Sequence, residues 1–154
     1  MQAFRIADRR FPVFDGTGAG IVGGRWNSPG RPLIYAAQTF SSAMLEVLVH
    51  SNLGRIPKTH VVIEINIPDG VFVELLHGLN LAGWDAEDHT SSRHFGDLWL
   101  REERSAVLLV PSIITKGREH NVLINPEHRE FARISATQPE DVQWDARLFQ
   151  RKLK

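Results

Sequence analysis

The sequence has no cysteine, no excess of charge of either sign and no long apolar run. The lack of cysteine excludes disulfides and thiolate chemistry, and it is typical of a protein in a reducing cytoplasm. Lysine and arginine together number 18, as do aspartate and glutamate, so the zero net charge gives no signal for direct binding to nucleic acid or to an anionic membrane. No apolar run approaches the roughly 20 residues that span a bilayer, and no signal-peptide pattern opens the chain. We therefore expect a cytoplasmic protein with no membrane partner.

What the chain does contain is the composition of an ordinary globular domain. Its 154 residues are 42% hydrophobic and 23% charged, which suits one domain with a sizeable core. The predicted strands cover residues 3–6, 33–37, 60–67, 71–75, 106–110, 122–124, 131–135 and 142–148. The last two of these are rich in β-forming residues and are expected to pair with each other. With only a few helical segments between them, the strands predict a single α+β domain over residues 1–154 with a mainly antiparallel sheet.

A glycine-rich loop is the first candidate for a functional element. Gly23 and Gly24 have no Cβ, so a ligand can approach the backbone closely and the amide N–H groups can turn toward an anion. Arg25 adds a planar fork of donors that matches a phosphate or a carboxylate. The loop is not a Walker loop, which needs Gly-Lys-Ser/Thr before a helix. A phosphate site and an ordinary surface turn both remain open for this pattern.

The two elements that follow each carry one polar group that needs an explanation. The short apolar run at 33–37 predicts a buried strand, on which Tyr35 is either a core aromatic with a bonded hydroxyl or a flat face for a ring to stack on. Residues 41–50 change to a helical period, and Glu46 is the only acid in this largely apolar helix. Burying a carboxylate in such a helix costs free energy unless the carboxylate is paired. Glu46 is therefore either bonded to a neighbour for structural reasons or a catalytic group.

The polar segment at 77–94 raises the question of a metal, because it contains His77, His89 and His94. The spacings fit neither a pair on adjacent helical turns nor a zinc knuckle, and no thiolate is present. We therefore predict no metal site. The residues that follow, 95–104, are predicted to form a helix.

Three further features, one segment and two residues, complete the sequence predictions. Residues 8–20 are predicted to be a loop, because they are too glycine-rich to hold regular structure. Arg5 interrupts an apolar strand and, if that strand lies at a sheet edge, simply faces solvent. Ser112 follows the strand at 106–110 and is either a hydroxyl directed into a cleft or a turn serine bonded to its own backbone.

The frame Gly-Gly-Arg-Trp-Asn-Ser-Pro-Gly, then Tyr-Ala-Ala, then Leu-Glu-Val-Leu-Val-His resembles the RES domain, the toxin half of bacterial RES–Xre toxin–antitoxin pairs. The family takes its name from an Arg, a Glu and a Ser. Arg25 and Glu46 match the first two, and Ser112 is the best candidate for the third. The other candidates are Ser105, Ser135 and the pair Ser91 and Ser92. The closing motif of the family resembles residues 121–128, so the motif-bearing core covers about 3–128 and the expected C-terminal strands about 131–149.

The resemblance implies the mono-ADP-ribosyltransferase-like fold, in which a split sheet holds the nicotinamide nucleotide in a cleft between its halves. NAD is then the implied substrate. Arg25 would pair with the pyrophosphate, Tyr35 would stack on or against the nicotinamide end, and Glu46 would hydrogen-bond the nicotinamide ribose. A carboxylate at that place stabilises the oxocarbenium-like charge of the transition state. The other expected site residues are Arg5 as a second cation near the phosphates, Gly24, Asn27, and Ser112 or Asn125 orienting the ribose.

The resemblance also implies a cellular role and a partner. The favoured activity is NAD hydrolysis by a glycohydrolase that depletes the NAD pool, since no feature of the sequence indicates a docking surface for a protein substrate. A mono-ADP-ribosyltransferase that modifies a specific protein is the alternative. The expected partner is an Xre-like helix-turn-helix antitoxin that blocks the cleft and makes the DNA contacts. A non-catalytic nucleotide-binding module is a hypothesis of another class, which NAD turnover would exclude.

Overall fold

The computed structural model describes residues 1–50 and 56–149, and in them eight strands form one sheet accompanied by three α-helices. The strands are β1 (Gln2–Asp8), β2 (Ile34–Ala37), β3 (His60–Asn66), β4 (Val73–Leu75), β5 (Val107–Pro111), β6 (His120–Ile124), β7 (Ser135–Ala136) and β8 (Glu140–Asp141). The helices are α1 (Thr17–Val22), α2 (Phe40–His50) and α3 (Thr90–Arg101). Short 3-10 turns cover Gly78–Asn80, Phe131–Arg133 and Ala146–Phe149. No helix within these ranges is long and apolar enough to cross a membrane.

The sheet is mainly antiparallel and is split near its middle. Its strand order is β4-β5-β6-β2-β1-β3-β7, with β8 also pairing with β3, and the only parallel pair in the described sheet is β4 with β5. Strand β1 pairs with β3 from Gln2 to Asp8, but it pairs with β2 only where Phe4 faces Ala37. The two halves therefore diverge beyond that pair. The predicted α+β class and the split, mainly antiparallel sheet are confirmed.

Two apolar clusters join the strands of the sheet to one another and to α3. The first includes Ile63 and Ile65 of β3, whose alternation with exposed Glu64 confirms the predicted half-buried strand. The second packs α3 against the sheet through Trp26 and Trp99. Trp99 is fully buried, and its indole N–H donates to the Ser105 hydroxyl at 2.8 Å, so burial leaves no polar group unpaired there.

The segment predicted as a loop at 8–20 contains helix α1, which corrects that prediction. The Asp15 carboxylate accepts the backbone N–H of Thr17 and so supports the first turn. Gly16 lies so close to the next strand that an added Cβ would be 2.5 Å from the Leu33 nitrogen. The helix ends at Gly23, whose φ of 73° favours glycine. The glycines here serve close packing and termination, which composition alone does not distinguish from a loop.

Other element boundaries also differ from the sequence predictions. Helix α3 begins at Thr90, within the polar segment, and ends at Arg101. The segments 131–135 and 142–148 do not pair with each other. Instead, β7 and β8 are two-residue strands that pair with opposite ends of the same strand, β3. The exposed edge of β3 competes for these short segments, and tertiary pairing overrides their local propensity.

Candidate active site

A cleft of about 620 Å³ opens where β1 and β2 diverge. Both halves of the sheet, α2 and the loop before β2 contribute to it. Charged and polar groups on its lining include Arg5, Arg25, Tyr35, Glu46, His89 and Asn121. Its volume lies in the range of pockets that hold small-molecule ligands, roughly 300–1,000 Å³. The loop before β2, β2 itself and α2 thus bring Arg25, Tyr35 and Glu46 to the lining of one cleft.

Arg25 is held in the cleft by a distant part of the chain. Its Nη1 donates to the main-chain carbonyls of Trp84 at 3.1 Å and Ala86 at 2.8 Å. Burial lowers the pKa of Arg25 from its ordinary value, whereas the charges of Asp85 and Glu46 act in the opposite direction. An arginine stays protonated at neutral pH despite such a shift. Within the described residues its Nε and Nη2 make no hydrogen bond, so this part of the fork is available to an anion.

Tyr35 has a hydrogen-bonded hydroxyl and also lies on the cleft lining. Its hydroxyl accepts the backbone N–H of Trp26 at 3.0 Å and donates to Oδ1 of Asn27 at 2.7 Å, while the residue also lines the cleft. Gly24 packs against that hydroxyl, because an added Cβ would lie 2.5 Å from its oxygen. Burial raises the pKa of Tyr35 well above its usual range. Tyr35 is therefore a neutral, hydrogen-bonded side chain that joins the loop to β2.

Glu46 projects from α2 and is bonded through both carboxylate oxygens. Oε1 accepts Nδ2 of Asn121 at 2.7 Å, and Oε2 lies 3.1 Å from Nε2 of His50. The Glu46 side chain is 26% exposed and that of His50 is 76% exposed. Glu46 is the only acid among the described lining residues. The carboxylate is thus paired, as its burial requires, and it still faces the cleft.

Arg5 lies on an interior strand, which corrects the reading that placed it at a sheet edge facing solvent. Its Nε donates to the Val13 carbonyl and its Nη1 to the Tyr35 carbonyl, both at 2.7 Å. Burial lowers the pKa of Arg5, while the charge of Asp15 acts in the opposite direction. The second of these hydrogen bonds links β1 to β2 where the strands no longer pair. Arg5 therefore stabilises the split and adds a cation to the cleft lining.

Asn27, a predicted NAD-binding residue, lies outside the cleft. It is fully buried, and its Nδ2 donates to the carbonyls of Ala19 and Arg31, each at 2.8 Å. Its Oδ1 accepts the Tyr35 hydroxyl. The side chain is occupied in holding the loop, because a buried amide must satisfy its donors and acceptor within the protein. This corrects the prediction of direct contact with NAD.

Ser112 and Asn125 also lie outside the cleft, and both are at most 2% exposed. The Ser112 hydroxyl accepts the backbone N–H of Thr115 at 3.4 Å, and Oδ1 of Asn125 accepts that of Glu127 at 3.0 Å. These are turn contacts, so the alternative reading of Ser112 is the correct one. The other serines considered, which are likewise absent from the described lining, are Ser91, Ser92, Ser105 and Ser135.

Three histidines line the cleft, but only His89 belongs to the polar segment that the sequence singled out. Burial and the charges of Arg25 and Arg93 lower the pKa of His89 below its ordinary value, so its ring is neutral at neutral pH. Nδ1 of His60 is buried without a hydrogen-bond partner among the described residues. Within the same residues, no group of three or more side chains is placed to hold a metal ion.

Asn121 is the functional candidate that the sequence reasoning missed. It lies in the same motif, 121–128, as Asn125, which was an expected ribose contact. No local signal distinguished the two residues, because both flank the apolar run at 122–124; the structure shows that Asn121 lies within β6 and that Asn125 follows the strand. From β6, the side-chain amide of Asn121 reaches Glu46 on α2.

Comparisons with known proteins agree on one family. The family model for the RES domain matches residues 2–145. The "Prs ADP-ribosylating toxin" of Sphingobium sp. (strain YBL2) is 41% identical over 140 residues, which cover 88% of this chain and 86% of the relative. "Toxin Res" of Yersinia enterocolitica is 35% identical over 152 residues, covering 96% of this chain and 99% of the relative.

A solved structure shares the fold. The crystal structure of the M. tuberculosis MbcT–MbcA toxin–antitoxin complex aligns with a TM-score of 0.74 at 18% identity and covers 92% of this chain and 83% of that chain. At this identity the likeness concerns the fold. Because the family match covers most of the chain and the curated relatives align along nearly their whole length, the chain belongs to the RES domain family.

Proposed function

We propose that this chain is the toxin of a toxin–antitoxin pair and that it cleaves NAD at the nicotinamide–ribose bond. The observation that carries the proposal is the placement of Arg25 and Glu46 on one cleft lining, close enough for their charges to interact. A dinucleotide that is cleaved at ribose needs a cation for its pyrophosphate and a carboxylate for its ribose. The cleft offers both, and the family relatives named as toxins support the biological role.

The chemistry requires little proton transfer at the leaving group. The bond between ribose C1′ and the nicotinamide nitrogen breaks, and both electrons leave with nicotinamide, which departs neutral. Positive charge develops on the ribose, where the Glu46 carboxylate stabilises it in the transition state. Because nicotinamide needs no proton in order to leave, a single carboxylate suffices. Glu46 is the only acid among the described lining residues.

The remaining groups bind the substrate. Arg25, whose Nη1 is fixed by two carbonyls, would direct Nε and Nη2 toward the pyrophosphate in a bidentate contact. Arg5 adds positive charge on the β1 side of the cleft. The Tyr35 ring would contact the nicotinamide end, and Gly24 would allow close approach of the backbone. These contacts hold the scissile bond near Glu46.

The acceptor of ADP-ribose has two candidates. In hydrolysis, water adds to C1′ and releases its proton to solvent, giving ADP-ribose and depleting the NAD pool of the cytoplasm. In transfer, a nucleophilic side chain of a target protein adds instead and loses its proton. Transfer is the second candidate because the Sphingobium relative is named an ADP-ribosylating toxin. Both reactions use the same cleavage step.

A toxin of this kind needs a partner that restrains it. We propose an antitoxin of the Xre-like helix-turn-helix type that covers the cleft and supplies the DNA contacts, for which this chain has no net positive charge. The structural neighbour is a toxin–antitoxin complex, which supports an antitoxin partner.

Nicotinamide release from NAD by the purified protein tests the proposal. Glu46→Gln keeps the size of the side chain and removes its charge, so we expect kcat to fall by about 10²–10³. Arg25→Ala is expected to raise KM for NAD. Exposed residues of the same types provide matched controls, Glu64→Gln and Arg118→Ala, which should leave turnover unchanged.

Two outcomes would contradict the proposal. Release that survives in Glu46→Gln at the wild-type rate would remove the carboxylate from the reaction. NAD that is bound but recovered intact by wild-type protein, with or without lysate, would identify a nucleotide-binding module. Labelled NAD in lysate then separates the two acceptors, because hydrolysis yields free ADP-ribose and transfer labels a protein.

A further inference from the structure

We propose that Asn121 is a positioning residue that holds the Glu46 carboxylate in its reactive orientation. This inference rests on the proposed NAD cleavage. The Asn121 amide nitrogen donates to Oε1 of Glu46 at 2.7 Å, a charge-assisted contact. Asn121 lines the same cleft. Its backbone pairs with Ala37 of β2 on one side and Val110 of β5 on the other.

Glu46 needs such a partner because it projects from a helix on a long side chain. Its other contact is with His50, one helical turn further on, and that side chain is 76% exposed. An exposed partner restricts a carboxylate weakly, since it exchanges with water. Asn121 is fixed by strands on both sides, so it transmits the rigidity of the sheet to the carboxylate. Preorganisation of this kind is what makes a charged group effective in a transition state.

The chemistry of an amide also suits the role. A lysine or arginine at this place would neutralise the charge that must stabilise the developing cation on ribose. An amide N–H orients the carboxylate and leaves its negative charge in place. An apolar residue would fill the space but could not donate.

Oδ1 of Asn121 is buried and has no hydrogen-bond partner among the described residues. Packing alone would be served as well by an apolar side chain of similar size, which carries no polar atom to satisfy. The N–H contact to Glu46 is the feature of this residue that an apolar side chain could not supply.

The first test separates catalysis from binding. For Asn121→Ala we expect kcat for nicotinamide release to fall by about 10–100-fold, as for other residues that orient a reactive group. KM for NAD should change less than about threefold, because Arg25 is untouched. Asn66→Ala is the matched control, since Asn66 is an exposed asparagine on β3 away from the cleft.

The second test asks whether Asn121 acts through Glu46. In the Glu46→Gln background, Asn121→Ala should lower kcat further by less than about twofold, because the charge to be oriented is already absent. A structural role would lower kcat by a similar factor in both backgrounds, and that result would overturn the proposal. So would an Asn121→Ala kcat within about twofold of wild type.

A third readout does not depend on turnover. The side-chain NH₂ resonances of Asn121, assigned by their loss in Asn121→Ala, should shift in Glu46→Ala and stay unchanged in the control Glu64→Ala. Unshifted resonances would show that the contact does not exist and would overturn the proposal. If wild-type protein releases no nicotinamide, the proposed function fails and the positioning role fails with it, whereas shifted resonances would show that the contact itself is real.

Discussion

The two walls of the cleft are held in different ways. The loop wall, formed by residues 23–27 with Tyr35, includes the fully buried Asn27 and is fixed by contacts with distant parts of the chain, such as the carbonyls of Trp84 and Ala86 that hold Arg25. The helix wall, formed by Glu46 with Asn121 and His50, depends on side-chain contacts at the surface of α2. The loop wall is therefore continuous with the core, whereas the Glu46 carboxylate of the helix wall is attached to the sheet through its contact with Asn121.

This difference predicts how each wall responds to substitution. Damage to the loop wall should lower the free energy of unfolding, because its hydroxyl, amide and backbone groups are buried and satisfy one another. Damage to the helix wall should change turnover while leaving stability nearly intact, because its groups are partly solvated. The comparison would be contradicted if substitutions in the loop wall left stability unchanged, or if substitutions in the helix wall lowered it strongly.

Gly96→Ala should produce the largest effect, through the loop wall. An added Cβ on this residue of α3 would lie 1.8 Å from the Trp26 carbonyl oxygen, so the loop and the helix cannot both keep their positions. We expect a loss of about 3 kcal/mol in the free energy of unfolding, as for strong overpacking. In a thermal melt this corresponds to a fall of roughly 6–12 °C in Tm.

Gly18→Ala is the matched control for that substitution. Gly18 lies in α1, and an added Cβ there would meet no atom within 4 Å. Its Tm should stay the same or rise slightly, because alanine favours a helix more than glycine does. An unchanged Tm for Gly96→Ala would show that the loop can move away from the added Cβ with no loss in the free energy of unfolding.

Tyr35→Phe should have the next largest effect. The change removes one oxygen and leaves the Trp26 N–H and the Asn27 Oδ1 without their partner. We expect a loss of about 2 kcal/mol in the free energy of unfolding, measured with urea. Ser135→Ala removes a hydroxyl from an exposed side chain and should change stability by less than about 0.5 kcal/mol. Equal effects of the two substitutions would show that the buried hydroxyl is not needed.

Alkaline titration should give a smaller effect on stability. All phenolate absorbance can be assigned to Tyr35, because it is the single tyrosine of the chain. Burial raises the pKa of Tyr35 above that of the unfolded chain, so folding favours the protonated form. Its stabilising contribution is complete below about pH 10 and falls by up to about 1.4 kcal/mol per pH unit above it. Phenolate absorbance should appear together with unfolding, and phenolate in the folded protein near pH 10 would contradict this.

The sequence was sufficient for the regular parts of the fold. Runs with a clear period predicted α2 and β3, and the short apolar run at 33–37 predicted β2, because the burial of each is visible in the local sequence. The glycine-rich helix α1 and the two short strands β7 and β8 were missed. Their conformations depend on close contact with Leu33 and on the free edge of β3, which are tertiary features.

Tertiary contacts, which the local sequence does not show, also limited the prediction of the site. Family resemblance was enough to bring Arg25, Tyr35 and Glu46 to one cleft, but their partners were not predictable. The carbonyls that hold Arg25 lie 59 and 61 residues further along the chain. Asn125 was an expected ribose contact, but the asparagine on the cleft lining is Asn121, four residues earlier and within β6, whereas Asn125 is a turn residue.

His50→Ala should have the smallest effect and is the sharpest probe of the helix wall. His50 contacts Oε2 of Glu46 at 3.1 Å, but its side chain is 76% exposed, so the pair is worth no more than about 0.5 kcal/mol. We expect kcat for nicotinamide release within about threefold of wild type and an unchanged urea midpoint, compared with a 10–100-fold loss for Asn121→Ala. A loss as large as that of Asn121→Ala would mean that the carboxylate needs both partners and that the sheet alone does not orient it. The distinction between a wall fixed by the core and a wall fixed by one strand residue would then have to be abandoned.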